Sequence, residues 1–263
     1  NALNEFDYEC IIHFAALKSV SDSETNPHLY WKNNVDATLN LLELTKSDTS
    51  FIFSSSATIY GDAKIQPIDE NAIIQTASTY GSTKVASELL LDDFCRSKKI
   101  RGISLRYFNP VGAHADKCIV EDFKNKPSNL MPRLIAAVKN KTNKIDVYGN
   151  DYNTCDGTGE RDYIHISDLV QGHFCAIEKA KKINGHKKYN LGTGKQTSVI
   201  QLIEAFNKVN STNIKYQIKP RRNGDVAVSY ADPSLANTEL SWKTNFDIYD
   251  MCKDAWESSK DLD

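Results

Sequence analysis

Short apolar segments alternate with longer amphipathic segments along the first 107 residues, and this alternation constrains the fold more than any other feature. Apolar runs at residues 9–20, 50–60 and 101–107 predict strands, whereas residues 28–46 and 79–98 predict helices. Alternation of this kind is typical of a parallel sheet with helices on its faces. We therefore predict an α/β fold built on a doubly wound parallel sheet.

The pattern becomes looser beyond residue 108, which suggests a second, smaller α/β domain. A helix is expected over residues 130–140 and a strand over 145–149, followed by the polar loop 151–162. Ser167 and Ser198 precede further helical patterns, as capping residues do. We predict domains at residues 1–108 and 109–263, with a segment near 163–192 returning to the first sheet.

Composition excludes several classes of protein. The formal net charge of -2 argues against a nucleic-acid-binding surface, and no uninterrupted apolar stretch is long enough to span a membrane. The cysteines are scattered without a C-x-x-C pair, which indicates free thiols and a cytoplasmic location. They are Cys10, Cys95, Cys118, Cys155, Cys175 and Cys252.

Ser56, Tyr80 and Lys84 are the candidate catalytic residues. Tyr80 and Lys84 are four residues apart, so on a helix they share a face, and a neighbouring ammonium group favours the phenolate over the phenol. Tyr80 would then serve as a general base. Ser56 ends an apolar strand, and open α/β sheets bind ligands at that edge. A Y-x-x-x-K spacing also occurs by chance on helix surfaces, so a solvated tyrosine beside a lysine is the competing interpretation.

Longer motifs occur in a characteristic order from about Cys10 to Trp256. They are HFAALKSV, SSSATIYG, YGSTK, LRYFNPVGAH, SNLMPRL, YGNDY, DGTGERDYIHISDL, YNLGTG and RRNGDVAVSYADPS. In these motifs the chain resembles the UDP-glucose 4-epimerases of the extended short-chain dehydrogenase/reductase superfamily. The resemblance implies a Rossmann-like NAD-binding domain over residues 1–108 and a mainly UDP-sugar-binding domain over 109–263. It also implies reversible inversion at C4 of a UDP-hexose through a 4-keto intermediate.

The resemblance also assigns roles to individual residues. Tyr80 would be the base, Ser56 would bind the 4-oxygen of the sugar, and Lys84 would hold the nicotinamide ribose. The expected NAD-binding positions are Lys18, Asn33, Ser54, Tyr80, Lys84 and Tyr107. The expected UDP-sugar positions are Ser56, Asn109, Asn129, Leu130, Tyr148, Arg161, Arg222, Asp225 and Ser229. No metal is expected, and His13, His114 and His165 are interpreted as structural or loop residues.

Two departures from the family pattern modify these expectations. A strand followed by a G-x-x-G-x-x-G turn does not occur, and the GTG triplets at 157–159 and 192–194 do not replace it. We therefore expect an N-terminally truncated fragment that lacks the first strands of the sheet. The second departure is Ser229, where many bacterial members have tyrosine. A smaller side chain would admit the N-acetyl group of UDP-GalNAc and UDP-GlcNAc.

Alternatives remain open at this point. A chain without the glycine turn could be a non-catalytic sugar-nucleotide binder, and a 4-epimerase acting on another UDP-sugar is the alternative within the enzyme class. A sugar-nucleotide dehydratase is disfavoured, because Ala57 and Thr58 occupy the places where dehydratases have an acidic pair. By resemblance, helices over 28–46 and 79–98 would pair with their copies in a homodimer.

Overall fold

The computed structural model describes residues 7–117, 119, 121, 127, 129–222 and 224–260, which cluster into two compact units. The first unit contains the described residues up to Tyr107 together with Gln171–Leu191 and Asp232–Trp242. The second contains Phe108–Val170, Gly192–Ala231 and the described residues from Lys243 onwards.

The described elements, numbered in chain order, are short strands and mostly short helices. The strands are β1 (Cys10–His13), β2 (Ser50–Ser56), β3 (Arg101–Tyr107), β4 (Asn109–Val111), β5 (Lys144–Tyr148), β6 (Glu160–Arg161), β7 (Tyr163–His165), β8 (His186–Leu191), β9 (Thr197–Ser198), β10 (Lys215–Lys219) and β11 (Val228–Ser229). The helices are α1 (Val20–Thr25), α2 (Pro27–Tyr30), α3 (Ala37–Leu44), α4 (Thr79–Lys98), α5 (Leu130–Lys139), α6 (Ile166–Ala180), α7 (Val199–Asn210), α8 (Ser234–Glu239) and α9 (Ile248–Ser259).

The first unit is built on a four-stranded parallel sheet in the order β1-β2-β3-β8, which confirms the predicted α/β class. Strand β2 is almost completely buried, as expected for an apolar strand covered on both faces. On one face, α3 and α4 contribute Leu42 and Leu91 to a buried cluster with Phe51 and Phe53 from β2. This packing fixes α4 against the strand that ends in Ser56.

Element boundaries differ from the sequence prediction where side chains interact locally. Helix α4 matches the predicted 79–98 span, and Ser78 caps it by accepting a hydrogen bond from the Gly81 N–H. The strand predicted over 9–20 is wrong beyond His13, because Ser19 caps a new helix beginning at Val20. The helix predicted over 28–46 is interrupted by a π-helical segment, Trp31–Asp36.

A buried ion pair joins helix α4 to strand β3 in the first unit. Glu88 on α4 receives two hydrogen bonds from Arg106 on β3, from Nε at 3.0 Å and from Nη2 at 2.7 Å. The Ser55 hydroxyl donates to the same carboxylate at 2.6 Å, and Arg106 also donates to the Tyr60 hydroxyl at 2.8 Å. Both charged side chains are almost fully enclosed, at 2% and 5% exposure.

The second unit contains three small sheets around an apolar core. Strands β10 and β5 pair in parallel, β4 pairs with β7 in parallel, and β6 lies between β11 and β9. The core is filled from α5, α7 and α9, with Leu134, Phe206 and Met251 fully or almost fully buried. Ser198 begins α7 through a reciprocal capping box with Gln201, as its position predicted.

Within the described part of the chain, no helix is both long enough and apolar enough to cross a membrane. Five of the six cysteines, Cys10, Cys95, Cys155, Cys175 and Cys252, are free thiols. The sixth, Cys118, lies outside the described residues.

Candidate active site

The carboxyl ends of β2 and β3 bring the predicted catalytic residues together in the first unit. Ser56 is the last residue of β2 and is paired with Tyr107, the last residue of β3. Tyr80 is the second residue of α4, and its N–H donates to the Ser23 hydroxyl at 3.1 Å. Lys84 lies one turn further along α4. Two strand ends and one helix therefore supply hydroxyl, phenol and ammonium groups to one place.

Lys84 is held firmly in this site. Its Nζ donates to the Ser54 carbonyl at 2.7 Å and lies 4.8 Å from the centre of the Phe53 ring. The same Nζ is 5.7 Å from the centre of the Tyr80 ring. The side chain is only 3% exposed, so burial lowers its pKa to about 8, although the charge of Glu88 acts in the opposite direction.

Burial is the largest influence on the protonation of Tyr80. Burial raises the pKa of Tyr80, and a hydrogen bond with the Ser56 side chain opposes that rise. The predicted lowering of this pKa combined the Lys84 ammonium with a cationic nicotinamide ring. In the protein alone the pKa is raised, because desolvation of the phenolate dominates. Tyr80 is therefore a neutral phenol, hydrogen-bonded to Ser56, at neutral pH.

Tyr107 joins the same group of polar side chains. Its hydroxyl lies 2.5 Å from Nε2 of His173, and the His173 ring packs 4.9 Å from the centre of the Phe14 ring. Burial raises the pKa of Tyr107, and a hydrogen bond with the Ser54 side chain opposes the rise. His173 was not singled out in the sequence, since a lone histidine within a helix carries no distinguishing signal.

The two remaining cofactor candidates lie in exposed positions. Lys18 follows β1 in a loop, and Asn33 lies in the π-helical segment with its amide donating to the Leu29 carbonyl at 3.0 Å. The neighbouring Asn34 is buried and was missed. Its side chain accepts from the Leu17 N–H at 2.8 Å and donates to the Leu17 carbonyl at 3.0 Å, which holds the loop carrying Lys18.

Apart from Ser56, the predicted UDP-sugar residues belong to the second unit, and two of them are paired on neighbouring strands. Arg161 on β6 is paired with Ser229 on β11. The Arg161 guanidinium donates to the Glu160 carbonyl at 2.8 Å. Asn109 begins β4 and is exposed, with its N–H donating to the Asp162 carbonyl at 2.9 Å.

Arg222 and Asp225 form one ion pair instead of two separate polar groups. The Arg222 Nε lies 2.8 Å from Asp225 Oδ2, and its Nη2 lies 3.3 Å from Oδ1. The guanidinium carbon is 5.0 Å from the centre of the Tyr148 ring, at the end of β5. Asn129 and Leu130 lie at the start of α5, where Asn129 is the capping residue and Leu130 packs on the core.

The three histidines interpreted as structural have ordinary protein partners. His13 is buried, with Nε2 3.0 Å from a threonine hydroxyl, and His114 is exposed beside Asp116. His165 stacks on Phe246 with ring centres 4.2 Å apart. Among the residues that the structure describes, no cluster of three or more His, Cys, Asp or Glu side chains could hold a metal ion.

Comparison with known proteins identifies the family of this chain. Residues 1–192 match the NAD dependent epimerase/dehydratase family. The UDP-glucose 4-epimerase of Dictyostelium discoideum is 46% identical over 251 residues, which cover 94% of this chain and 73% of that protein. The UDP-glucose 4-epimerase of Erwinia amylovora is 44% identical over 250 residues, covering 94% of this chain and 74% of that protein.

A solved structure is similar over nearly the whole of this chain. It is the UDP-glucose-4-epimerase from Stenotrophomonas maltophila with bound NAD and formylated UDP-arabinopyranose, with a TM-score of 0.93 and 40% identity. The match covers 98% of this chain and 78% of that one. The chain thus belongs to the NAD-dependent epimerase/dehydratase family and, within it, to the UDP-glucose 4-epimerases.

Proposed function

We propose that this protein interconverts UDP-galactose and UDP-glucose by reversible inversion at C4 of the hexose, with NAD as its cofactor. The observation that carries the proposal is the grouping of Ser56, Tyr80 and Lys84 at the carboxyl edge of a parallel sheet. Open α/β sheets bind nucleotide ligands at this edge. The grouping supplies an acid-base group, a hydrogen-bond partner for it and a cation.

The donor set at this edge fits a nicotinamide cofactor. Lys84 and Tyr107 would hold the nicotinamide ribose and ring, with Ser54, Lys18 and Asn33 as further contacts. The almost fully buried ammonium of Lys84 offers N–H donors beyond the one used on the Ser54 carbonyl. When bound, NAD supplies the hydride acceptor and donor for C4 and a positive charge that favours the phenolate of Tyr80.

The protein's own residues move the proton and hold the sugar. Tyr80, once ionised, takes the proton of the 4-hydroxyl, and Ser56 hydrogen-bonds the 4-oxygen while C4 becomes a ketone. The 4-keto sugar turns about its diphosphate link and presents its other face. Tyr80 then returns the proton to the 4-oxygen, so the product differs from the substrate only in the configuration of C4.

The second unit would bind the UDP moiety. Arginine suits a diphosphate because its planar guanidinium donates to two oxygens and stays charged at any working pH. Arg161 and Arg222 are therefore assigned to the diphosphate, and the ion pair with Asp225 would orient Arg222. Asn109, Asn129, Leu130 and Tyr148 complete the proposed UDP-binding surface, and Ser229 would lie beside the sugar. In this proposal the first unit binds NAD and supplies Ser56 and Tyr80 to the sugar, and the second binds the UDP moiety.

Substitution of Tyr80 tests the reaction directly. Tyr80→Phe removes the proton-transfer group without changing the ring, so kcat for UDP-galactose should fall by about a hundredfold or more, with UDP binding unchanged. Tyr249→Phe, at an exposed tyrosine on α9, is the matched control and should leave turnover unchanged. Conversion is followed by NMR of the sugar anomeric protons.

The possible outcomes separate this function from its alternatives. Turnover that survives Tyr80→Phe would contradict the assigned chemistry. A wild-type protein that binds UDP-sugars but converts none of them would be a binding protein instead. Competition among UDP-hexoses, UDP-pentoses and UDP-uronates distinguishes the proposed substrate from that of another 4-epimerase.

Activity on the N-acetylated sugars is a further part of the proposal. Ser229 is half-buried and small, which supports space for an N-acetyl group at C2 of the sugar. Ser229→Tyr should lower turnover of UDP-N-acetylgalactosamine relative to UDP-galactose. An unchanged ratio of the two rates would refute this part alone.

A homodimer and a cytosolic location belong to the same proposal. Leu29, Trp31 and Leu89 are 40%, 43% and 60% exposed on the helical segments expected to pair, which supports an interface there. Free thiols at the five described cysteines are consistent with a reducing compartment. Sedimentation of the wild-type protein and of Leu89→Asp tests the dimer.

A further inference from the structure

The triplet Gly192-Thr193-Gly194 follows β8 and has no role in the chemistry described above. Its donors converge on one carboxylate, that of Asp162, which is completely buried in the second unit. The Thr193 N–H and hydroxyl donate to Oδ1 at 2.8 and 2.6 Å. The Gly194 N–H and the Ala231 N–H donate to Oδ2 at 2.9 and 3.1 Å.

The glycine at position 192 is explained by the same carboxylate. A Cβ atom there would lie 2.5 Å from Asp162 Oδ2 and 2.6 Å from the Ala231 Cβ. Contacts this short are not tolerated, so the backbone can approach Asp162 only because the residue is glycine. The triplet is therefore shaped to enclose a carboxylate.

Asp162 also lies where the chain changes its partner strand. Its N–H donates to the Ser229 carbonyl at 3.1 Å, and its carbonyl accepts from the Asn109 N–H at 2.9 Å. Arg161, immediately before it, pairs with Ser229, whereas Tyr163, immediately after it, pairs with Asn109. The backbone of Asp162 thus connects Asn109, Arg161 and Ser229, three residues that the proposed function assigns to the UDP-sugar.

We propose that Asp162 is the positioning residue of the sugar-nucleotide site and that its carboxylate, enclosed by Thr193, Gly194 and Ala231, holds Asn109, Arg161 and Ser229 in register. Asp162 does not touch the substrate in this account. It acts through the backbone of its neighbours. Four donors fix its side chain, and the hydrogen bonds to Ser229 and Asn109 fix its main chain. The inference rests on the proposed function, because that function assigns the three residues to the UDP-sugar.

Asp162→Asn is the informative substitution because it retains the volume but not the acceptors. If the amide nitrogen replaces Oδ2, it meets two backbone N–H donors. If it replaces Oδ1, it meets the Thr193 N–H, and only the Thr193 hydroxyl can turn to accept. Either orientation places a donor against a donor in a buried site. The repulsion displaces the backbone at Asp162, where the chain passes from pairing with β11 to pairing with β4.

The matched control is Asp168→Asn. Asp168 is a buried carboxylate of the same unit that accepts from the backbone N–H groups of Asn245 and Phe246, at 3.0 and 3.2 Å. None of these residues is assigned to the UDP-sugar. Loss of stability alone should therefore affect Asp162→Asn and Asp168→Asn alike, whereas loss of positioning should affect only the former.

Calorimetric titration with UDP measures the effect without requiring turnover. We expect Asp162→Asn to weaken UDP binding about tenfold or more and Asp168→Asn to change it less than about twofold. Thr193→Val removes one of the four donors and should weaken UDP binding about threefold or more, and Thr193→Ser should restore it. In turnover of UDP-galactose, the change should appear in KM with kcat nearly preserved, because Ser56, Tyr80 and Lys84 belong to the first unit.

Each outcome decides the matter. Equal UDP binding by Asp162→Asn and the wild-type protein, or equal weakening by Asp162→Asn and Asp168→Asn, would overturn the positioning role. If Asp162→Asn does not fold, the comparison of Thr193→Val with Thr193→Ser decides instead, and equal binding by these two overturns the role. A wild-type protein that fails to bind UDP would overturn the proposed function and this inference with it.

Discussion

Removal of the Glu88 carboxylate should destabilise the first unit far more than removal of an exposed carboxylate on the same helix. Glu88→Ala would leave the Arg106 guanidinium, only 2% exposed, without its counter-charge. An uncompensated buried charge costs about 3–5 kcal/mol of the free energy of unfolding. Burial raises the pKa of Glu88, but the hydrogen bonds and charge of Arg106 outweigh it and leave the pKa lowered, as expected of an ion pair that favours the folded state.

Asp93→Ala provides the control, because Asp93 pairs with Arg96 on the surface of α4, with side chains 66% and 64% exposed. Exposed pairs contribute little, so this variant should lose less than about 1 kcal/mol. Urea unfolding followed by circular dichroism compares the midpoints at equal slope. A loss below about 1 kcal/mol for Glu88→Ala would refute the argument, since that is the magnitude of an exposed pair.

The double variant Glu88→Leu with Arg106→Met tests the cause of the loss. Replacement of a buried ion pair by apolar side chains is often neutral, because the desolvation cost disappears together with the attraction. The Tyr60 hydroxyl would keep its other bond, to Asn190 Oδ1 at 2.7 Å. The double variant should therefore recover at least half of the stability lost by Glu88→Ala. Equal destabilisation of the two would show that packing, and not the unpaired charge, determines the loss.

Burial lowers the pKa of His13 from 6.5 to about 4, so between these values the unfolded chain binds a proton that the folded protein does not. The free energy of unfolding should therefore fall as the pH drops through this window, and His13→Gln should reduce that fall in urea titrations at pH 4 to 7. The same dependence of the free energy of unfolding on pH in the wild type and in His13→Gln would contradict this prediction. Gly102→Ala should lower the free energy of unfolding by about 1–3 kcal/mol, because the new Cβ would lie 2.6 Å from the Cys95 sulfur. Adding Cys95→Ala should restore part of this loss in a double-mutant cycle. If the effects of the two substitutions were strictly additive, the clash would not be the cause. Asn34→Ala should lower the free energy of unfolding by about 1–3 kcal/mol, because it leaves the partly buried Leu17 N–H and carbonyl without their side-chain partner. The exposed Asn33→Ala should change the free energy of unfolding by less than about 0.5 kcal/mol. Equal melting temperatures for the two variants would argue against this role of Asn34.

Regular elements with strong local signals were predictable from the sequence. The span of α4 follows from Ser78 as a cap and from the apolar positions that pack on β2, and the cap of α7 follows from Ser198 and Gln201. The helix starting at Val20 was missed, because its six residues carry no apolar periodicity and its position depends on one serine cap. The sheet of β11, β6 and β9 was missed for a related reason, since these strands have two residues each.

The sequence by itself determined which residue types are available for chemistry, because motifs such as YGSTK and GERD set spacings that survive any packing. It also determined the parallel sheet, since apolar strands alternating with helices have few other ways to bury their surfaces. Only the tertiary structure decided that Tyr80 is desolvated enough to remain a neutral phenol, and that Asn34 is buried while Asn33 is exposed. Only the tertiary structure brought the second GTG triplet to Asp162, 31 residues from Thr193 along the chain. Burial and long-range hydrogen bonds depend on the whole packed chain, and no local pattern of residues encodes them.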